Sequence, residues 1–491
     1  MKRLSMIAFL FLLSALSAAH PQDKDKPNIV LILMDNLGYG ELGAYGGGIL
    51  RGAPTPRIDD LAAKGTRLLN FNVEAQCTPS RAALMTGRYA VRTGNASVPI
   101  DTPLYGLTQW EYTIAKMLSD VGYATGAFGK WHLGHTEGRF PTDQGFDEWY
   151  GIANSSDEAF WTESSMYRPD SSPYAAPEYV VESTKGQTPT KVKLYNLAER
   201  RIIDRELTEK AKDFITREAN AKKPFFAYVP YTMPHFPVTP APEFDGKTGN
   251  GFWADALAQM DAYTGELIDT VDKLGIKDNT IFIFTSDNGP EMTEPWAGWA
   301  GPWRGTYFTG LEGSLRVPFI IAWPGKIPAG RVSNEIVHEM DLFPTIAAIV
   351  QGKIPTDRVI DGVDQGQFLM GKQEKSGREG LVVYVGNEIY GVKWHNWKMM
   401  FKELETGTGP VQTWSIPRFF NLNLDPTEQH PLTYGPQYLW VRYPAVKILA
   451  DHLISLKKYP PVPPGAPDPY SPPAGQAVVP PGQLQTFPGE D

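Results

Sequence analysis

The sequence predicts an α/β fold: a large, mainly parallel central sheet flanked by helices, with a smaller C-terminal α+β subdomain that carries an antiparallel sheet. Three observations predict it. Apolar runs at 28–34, 225–229, 280–285 and 318–323, with a weaker one at 123–128, read as strands buried on both faces. Helical patterns at 58–64, 113–121, 207–219, 252–274 and 341–350 lie between them, and this alternation implies a mainly parallel sheet covered on both sides. Towards the C-terminus the pattern changes to short strands at 382–384, 390–393 and 397–402, a loop at 421–431 and a helix near 443–457.

The N-terminal boundary rests on a different signal. Lys2 and Arg3 precede an apolar stretch at 6–19, and Ser17, Ala18 and Ala19 stand before His20 and Pro21. The stretch is short for a membrane span, and together these features predict a cleavable secretory signal over 1–20. The mature chain is therefore expected in a periplasm or outside the cell, free of the membrane after cleavage. The main α/β body is expected over 21–375 and the C-terminal subdomain over 376–458. Of the 33 residues at 459–491, 11 are Pro, a composition that predicts an extended tail or surface strap.

Composition bounds the function. With 42% hydrophobic and 12% aromatic residues the chain can build a large core, which excludes a disordered scaffold. Its 46 Lys and Arg against 55 Asp and Glu give a formal net charge of -9, which argues against a strongly basic nucleic-acid binder. The single cysteine, Cys77, can form no internal disulfide. It is a buried bystander, half of an intermolecular bridge, or chemically useful.

Two of the clearest strands end in the same polar pair, Asp35-Asn36 and Asp287-Asn288, each followed within two residues by Gly. Asp and Asn start turns after strands in many proteins. Two such pairs at the carboxyl edge of one sheet, where ligands gather in these folds, would nevertheless bring four oxygen-bearing side chains together. The string Cys77-Thr78-Pro79-Ser80-Arg81 is the most specific in the chain. Thr78 suits an N-cap and Pro79 the first helical position, so a short helix is expected through Met85 with Cys77 just outside its N-terminus. A thiol there would be acidified by the helix dipole.

Followed by Ala82-Ala83-Leu84-Met85-Thr86-Gly87-Arg88, this string resembles the signature of the type I sulfatases, formylglycine-dependent, arylsulfatase-like enzymes of the alkaline-phosphatase-like superfamily. The similarity continues at Asp35 to Gly40, Gly129-Lys130-Trp131-His132-Leu133-Gly134, Pro234-His235-Phe236-Pro237, Ser286-Asp287-Asn288-Gly289 and Arg316-Val317-Pro318, over about 27–458 in the family's order. The resemblance implies an alkaline-phosphatase-like fold and hydrolysis of sulfate monoesters, on an aryl group or a sugar, to alcohol and sulfate. It implies that a formylglycine-generating enzyme converts Cys77 to formylglycine, whose hydrate is the nucleophile. It implies one divalent cation, calcium with magnesium as the alternative, held by Asp35, Asn36, Asp287, Asn288 and the modified Cys77. Arg81 would orient the hydrated aldehyde, Lys130 would neutralise a sulfate oxygen, His132 would be the base that eliminates sulfate, and His235 would protonate the leaving alcohol.

Two positions depart from the family. Asn36 stands where a second Asp is usual, which lowers the side-chain charge of the four ligands from -3 to -2. The segment Trp303-Arg304-Gly305 to Glu312-Gly313 offers Arg304 where the family has a Lys, and a guanidinium binds sulfate without being able to donate a proton. Two other functions fit the fold: a phosphonate or phosphodiester hydrolase of the same superfamily, or a catalytically silent sulfate- or glycan-binding homologue. The partners expected are a small sulfate ester or sulfated glycan and the maturing enzyme, with no nucleic acid. Trp161, Tyr167, Arg168, Trp296, Trp299, Trp303 and His395 are candidates for stacking on a sugar or aryl ring.

Overall fold

The computed structural model describes residues 26–99, 104–171, 176–432 and 438–472. The predicted secretory signal and the last part of the Pro-rich segment, 473–491, lie outside the described residues. In chain order the strands are β1 (Asn28–Met34), β2 (Thr66–Leu68), β3 (Phe71–Asn72), β4 (Ala124–Lys130), β5 (Glu148–Ile152), β6 (Tyr179–Thr184), β7 (Thr190–Leu194) and β8 (Phe225–Pro230). They continue as β9 (Thr280–Ser286), β10 (Phe319–Ala322), β11 (Arg331–Ser333), β12 (Val337–His338), β13 (Gly380–Val385), β14 (Glu388–Trp394), β15 (Trp397–Leu404) and β16 (Val411–Asn421). The helices are α1 (Pro56–Ala63), α2 (Cys77–Thr86), α3 (Ile114–Asp120), α4 (Leu197–Asn220), α5 (Phe252–Lys273), α6 (Glu312–Leu315), α7 (Leu342–Val350), α8 (Gly366–Leu369) and α9 (Leu439–Lys458).

Ten strands form the large sheet, in the order β11-β2-β10-β9-β1-β8-β4-β5-β6-β7. Its centre, β9-β1-β8-β4-β5, is parallel throughout. All seven residues of β1 are buried, and they alternate between two layers. Val30, Ile32 and Met34 pack in one layer with Ile203 and Leu207 of α4 and Leu257 and Leu267 of α5. Ile29, Leu31 and Leu33 pack in the other with Leu84 of α2, Ile114 and Leu118 of α3 and Ile346 of α7. Each such side chain taken fully out of water contributes ~1.5–3 kcal/mol, which is why a continuous apolar run becomes a central strand.

The run at 318–323 does not extend the parallel set: β10 pairs antiparallel with β9 and β2, and β6 pairs antiparallel with β5 and β7. Apolar character reports burial on both faces and carries no direction. After β9 the chain stays at the carboxyl edge through α6, with no crossover helix to return it to the opposite edge, so β10 must run back. The helix expected at 207–219 starts ten residues earlier, at Leu197, capped by the Asn196 side chain on the Glu199 amide.

The second sheet is antiparallel, in the order β13-β14-β15-β16, and its last strand was not expected from the sequence. Helix α9 covers one side, where Ala445, Ile448 and Leu449 meet Val392 and Met399. Residues 459–472 lie back across the main body: the Val462 amide donates to the Arg92 carbonyl at 2.9 Å, Asp468 pairs with Arg139 at 3.2 Å, and Tyr470 meets the Trp110 ring edge-on. Among the described residues no helix is long and apolar enough to cross a membrane.

Candidate active site

Register brings the two polar pairs together. Strands β1 and β9 pair from Asn28↔Thr280 to Met34↔Ser286, so Asp35-Asn36 and Asp287-Asn288 leave the sheet side by side. The Asn36 amide donates to Asp287 Oδ1 at 3.1 Å and the Leu37 amide to Ser286 Oγ at 2.9 Å, tying the two strand ends. The neighbouring strand β8 leads to His235 and the next one, β4, delivers Lys130 and then His132, all at the same carboxyl edge. Two turning residues, Asn36 at φ 65° and His132 at φ 60°, occupy the left-handed region, which non-glycine residues seldom adopt outside constrained sites.

Cys77 reaches this edge from α2. The helix begins at Cys77 itself, with Gln76 at the cap position, rather than after Thr78. The Thr78 hydroxyl donates instead to the His132 carbonyl at 3.1 Å, so it ties α2 to the end of β4 and does not cap. The expected acidification of the thiol is also overturned. Burial pushes the Cys77 thiol well above its ordinary range; Asp287 and Asp35 add to this, and Lys130 and Arg81 only partly oppose it. An unmodified thiol here is a poor nucleophile.

Around Cys77 the polar groups form one buried cluster. The thiol Sγ lies 3.7 Å from both Asp35 Oδ1 and Asn36 Oδ1. Lys130 Nζ donates to both Asp35 oxygens, at 2.9 and 3.1 Å, and to Ser155 Oγ at 3.2 Å. Arg81 donates to Asp287 Oδ2 at 2.8 and 3.1 Å and to the Lys130 carbonyl at 2.7 Å. Burial would raise the Asp35 carboxyl, but Lys130, His235 and Arg81 together hold it well below the carboxylate range. Burial, with Lys130 and Arg81 beside it, depresses His132 well below the usual histidine range, so this ring is neutral. Its Nδ1 is buried with no hydrogen-bond partner among the described residues.

His235 stands opposite. Its Nδ1 donates to the Phe236 carbonyl at 2.8 Å, which leaves Nε2 facing Ser155 Oγ at 3.1 Å and pointing into the cluster. One ligand-capable atom each of Asp35, Cys77 and His235 lies within 4.8 Å of the others. The donor set fits a hard divalent cation. Asp35, Asn36, Asp287 and Asn288 are fully buried, all four offer oxygen, and Asn288 Oδ1 is buried without a hydrogen-bond partner among the described residues.

Arg304 does not join them. Its guanidinium donates to the Thr427 carbonyl at 2.8 Å, the Glu428 carbonyl at 2.9 Å and Glu403 at 2.9 Å, so its donors are used in docking the second sheet. The residue is basic and close in sequence to the family's position, but its side chain leaves the opposite way. Above Cys77 a cleft of about 640 Å³ opens, whose basic lining residues are His132, His135, Lys191 and His235. Of the aromatic candidates only Trp161 lines it, together with Tyr105, Tyr307 and Phe308. Trp296 stacks on Phe236, Trp303 lies under the Arg316 guanidinium, and His395 packs on Trp394 at the β14–β15 turn.

Three residues were missed. Ser155 links Lys130 to His235, and the capping box that it forms with Glu158 at the start of a 3-10 helix, Ser-x-x-Glu, was legible in the sequence. Glu291, which accepts from Asn36 Nδ2, and Tyr307, whose hydroxyl donates to Glu291, carry no motif of their own.

Comparison with known proteins shows which family the chain resembles along its length. Residues 27–352 match the family model described as Sulfatase, and residues 308–453 match one described as N-sulphoglucosamine sulphohydrolase, C-terminal. N-acetylgalactosamine-6-sulfatase of Canis lupus familiaris is 32% identical over 477 residues, covering 90% of this chain and 89% of its own. Arylsulfatase G of Homo sapiens is 33% identical, with 87% of each chain covered. Among solved structures, the PsFucS1 sulfatase from Pseudoalteromonas sp. superposes with a TM-score of 0.83 at 32% identity, covering 89% of this chain and 92% of that one.

Proposed function

We propose, from the premise that this chain belongs to the sulfatase family and is a sulfuric ester hydrolase, that it removes sulfate from a sulfated sugar through a formylglycine made from Cys77. The observation that carries the proposal is the place of Cys77: first residue of α2, on the lining of the cleft, with Asp35, Asn36 and His235 around its sulfur. A formylglycine hydrate at this position would supply one hydroxyl that displaces the alcohol from sulfur, its proton passing to Asp287, and a second that expels sulfate, returning the aldehyde. A bound calcium ion would draw electron density from the sulfate and from the attacking hydroxyl.

The chain's own residues divide the remaining work. Asp35, Asn36, Asp287 and Asn288 would hold the cation, with Arg81 keeping Asp287 in place. Lys130, charged and buried, offsets negative charge beside Cys77. Neutral His132 would take the proton of the second hydroxyl, and His235, fixed through its Nδ1 and carrying a second proton on Nε2, would hand that proton to the departing alcohol. With Arg304 turned away, His235 carries the leaving-group protonation alone. A sugar is favoured over a bare aryl ester because the cleft lining mixes hydrogen-bonding groups (Asn154, Glu158, Glu178, Lys191) with aromatic faces. The name of the N-acetylgalactosamine-6-sulfatase relative points the same way.

Export is part of the proposal: the apolar stretch at 6–19 supports a periplasmic or secreted enzyme matured by a formylglycine-generating enzyme. We assign 21–375 to the catalytic body and 376–458 to the subdomain that closes it. The test is the mass of the tryptic peptide 68–81 after co-expression with that maturing enzyme, followed by assays on a sulfated sugar, an aryl sulfate and a phosphonate ester. An aldehyde at 77 with preference for the sulfates is expected. A thiol that stays unconverted favours a silent binding protein, and preference for the phosphonate ester moves the chain to the rival hydrolase class.

A further inference from the structure

The family's cation site has lost a charge at Asn36, and the structure shows where a carboxylate has been kept. Asn36 Nδ2 donates to Glu291 Oε2 at 2.8 Å, while Asn36 Oδ1 accepts from Asn288 Nδ2 at 2.6 Å and lies 3.7 Å from the Cys77 sulfur. Glu291 is fully buried, on the loop three residues after Asn288. Its oxygens also accept from the Met292 and Thr293 amides at 2.9 Å each, from the Tyr307 hydroxyl at 3.1 Å and from the Phe236 amide at 3.4 Å. Among the described residues no Lys, Arg or His pairs with it. A buried carboxylate ringed by neutral donors calls for a positive charge nearby, and a cation held by Asp35, Asn36, Asp287 and Asn288 would be next to it.

The pair also settles which way the Asn36 amide points. An ionised carboxylate only accepts hydrogen bonds, so the amide nitrogen must face Glu291 and the oxygen is left on the side of Asn288 and Cys77, the neighbouring members of the cation site. A carboxylate in place of the Asn36 amide would set two like charges within hydrogen-bond distance of each other. We propose that Glu291 is a positioning residue of the cation site. It locks the Asn36 carbonyl toward the ion and returns, from behind the ligands, the negative charge that Asn36 lacks. The inference rests on the cation of the proposed sulfatase reading and deepens it.

The experiment is calcium titration by calorimetry of the full chain, stripped with chelator and carrying unconverted Cys77, so that binding is read without turnover. Glu291→Gln is expected to weaken calcium binding by roughly 10- to 100-fold. Asn36→Asp alone is expected to weaken it as well, because the new carboxylate meets Glu291. The double variant Asn36→Asp/Glu291→Gln is expected to recover to within several-fold of wild type, since the introduced amide can donate to the introduced carboxylate. A merely structural role for Glu291 would not produce that recovery. If Glu291→Gln fails to fold alone, the double variant decides: folding with calcium bound supports the assignment, and failure overturns it. Wild-type affinity in Glu291→Gln overturns the role of Glu291 while leaving the cation in place. A wild-type chain that binds no calcium overturns the cation and Glu291 together, and it would do so whatever the sulfate assays report.

Discussion

Two buried charge clusters sit a short distance apart along the same chain and serve opposite ends. At the carboxyl edge of the large sheet, Asp35 and Asp287 face Lys130 and Arg81, all at 0% exposure, with a cleft above them and an unpartnered amide oxygen on Asn288 among them. Between the two sheets, Glu312 pairs with Arg316 at 2.5 Å, Lys393 at 2.6 Å and Lys398 at 3.1 Å, and Lys398 pairs with Glu428 at 2.6 Å. The second cluster is closed by its own members: Glu428 also accepts the Glu312 amide at 2.7 Å, and Asn70 and Asn72 take further hydrogen bonds from Lys393. Burial of charge alone therefore does not mark a functional site. Access from a cleft separates the cluster at the sheet edge from the one that docks.

Exchanging one member of each cluster should pull the two roles apart. Cys77→Ala is expected to lower sulfate release by roughly five orders of magnitude or more while the denaturation midpoint stays near wild type. Glu312→Gln leaves Lys393, Lys398 and Arg316 facing one another without their shared carboxylate, and is expected to cost about 3–5 kcal/mol in urea denaturation. If Glu312→Gln instead abolished turnover in a fully stable protein, the docking assignment would be wrong.

A second test concerns the support behind α2. Glu74 carries the backbone carbonyl that accepts from the Ser80 hydroxyl, and its amide donates to Glu339 at 2.9 Å. Burial raises the Glu74 carboxyl from 4.5 to about 7 and pushes Glu339 well above the usual range. Because the folded value lies above the unfolded one, the stabilisation is complete below about 4.5 and is lost as pH rises through about 7. Over that window this group should cost roughly 3 kcal/mol at most. The melting temperature of Glu74→Gln should fall less steeply with pH across it than that of wild type; equal slopes would remove Glu74 from the account.

The smallest effect on activity is expected at Arg304. Arg304→Ala should keep kcat/KM within about 3-fold of wild type while lowering stability by about 2 kcal/mol, from three lost charge-assisted hydrogen bonds. A drop of 100-fold or more in kcat without loss of stability would return this guanidinium to the sulfate.

Much of this was legible before any coordinates. The runs that became β1, β8 and β9 and the polar pairs at 35–36 and 287–288 are local features: a strand buried on both faces must be apolar throughout, and the chain must turn where it ends. The string around Cys77 was equally plain, although the helix begins at Cys77 and burial reverses the expected effect on the thiol. Arg304 was misread because sequence distance to a motif does not tell which way a side chain leaves a loop. Ser155 and Glu291 matter only through residues 25 to 255 positions away, Lys130, His235 and Asn36.

The sequence by itself determined the apolar strands, their helical partners, the antiparallel character of the C-terminal part and the residue types that gather at the site, because periodicity, turn chemistry and motif spacing are written within a few residues. Tertiary structure alone decided the register that sets Asp35 beside Asp287, the reversal of β10, the turn of Arg304 toward the second sheet and the clasp of Glu291 on Asn36. These are contacts between distant segments, chosen by how the buried surfaces fit and by the need of every buried charge for a partner.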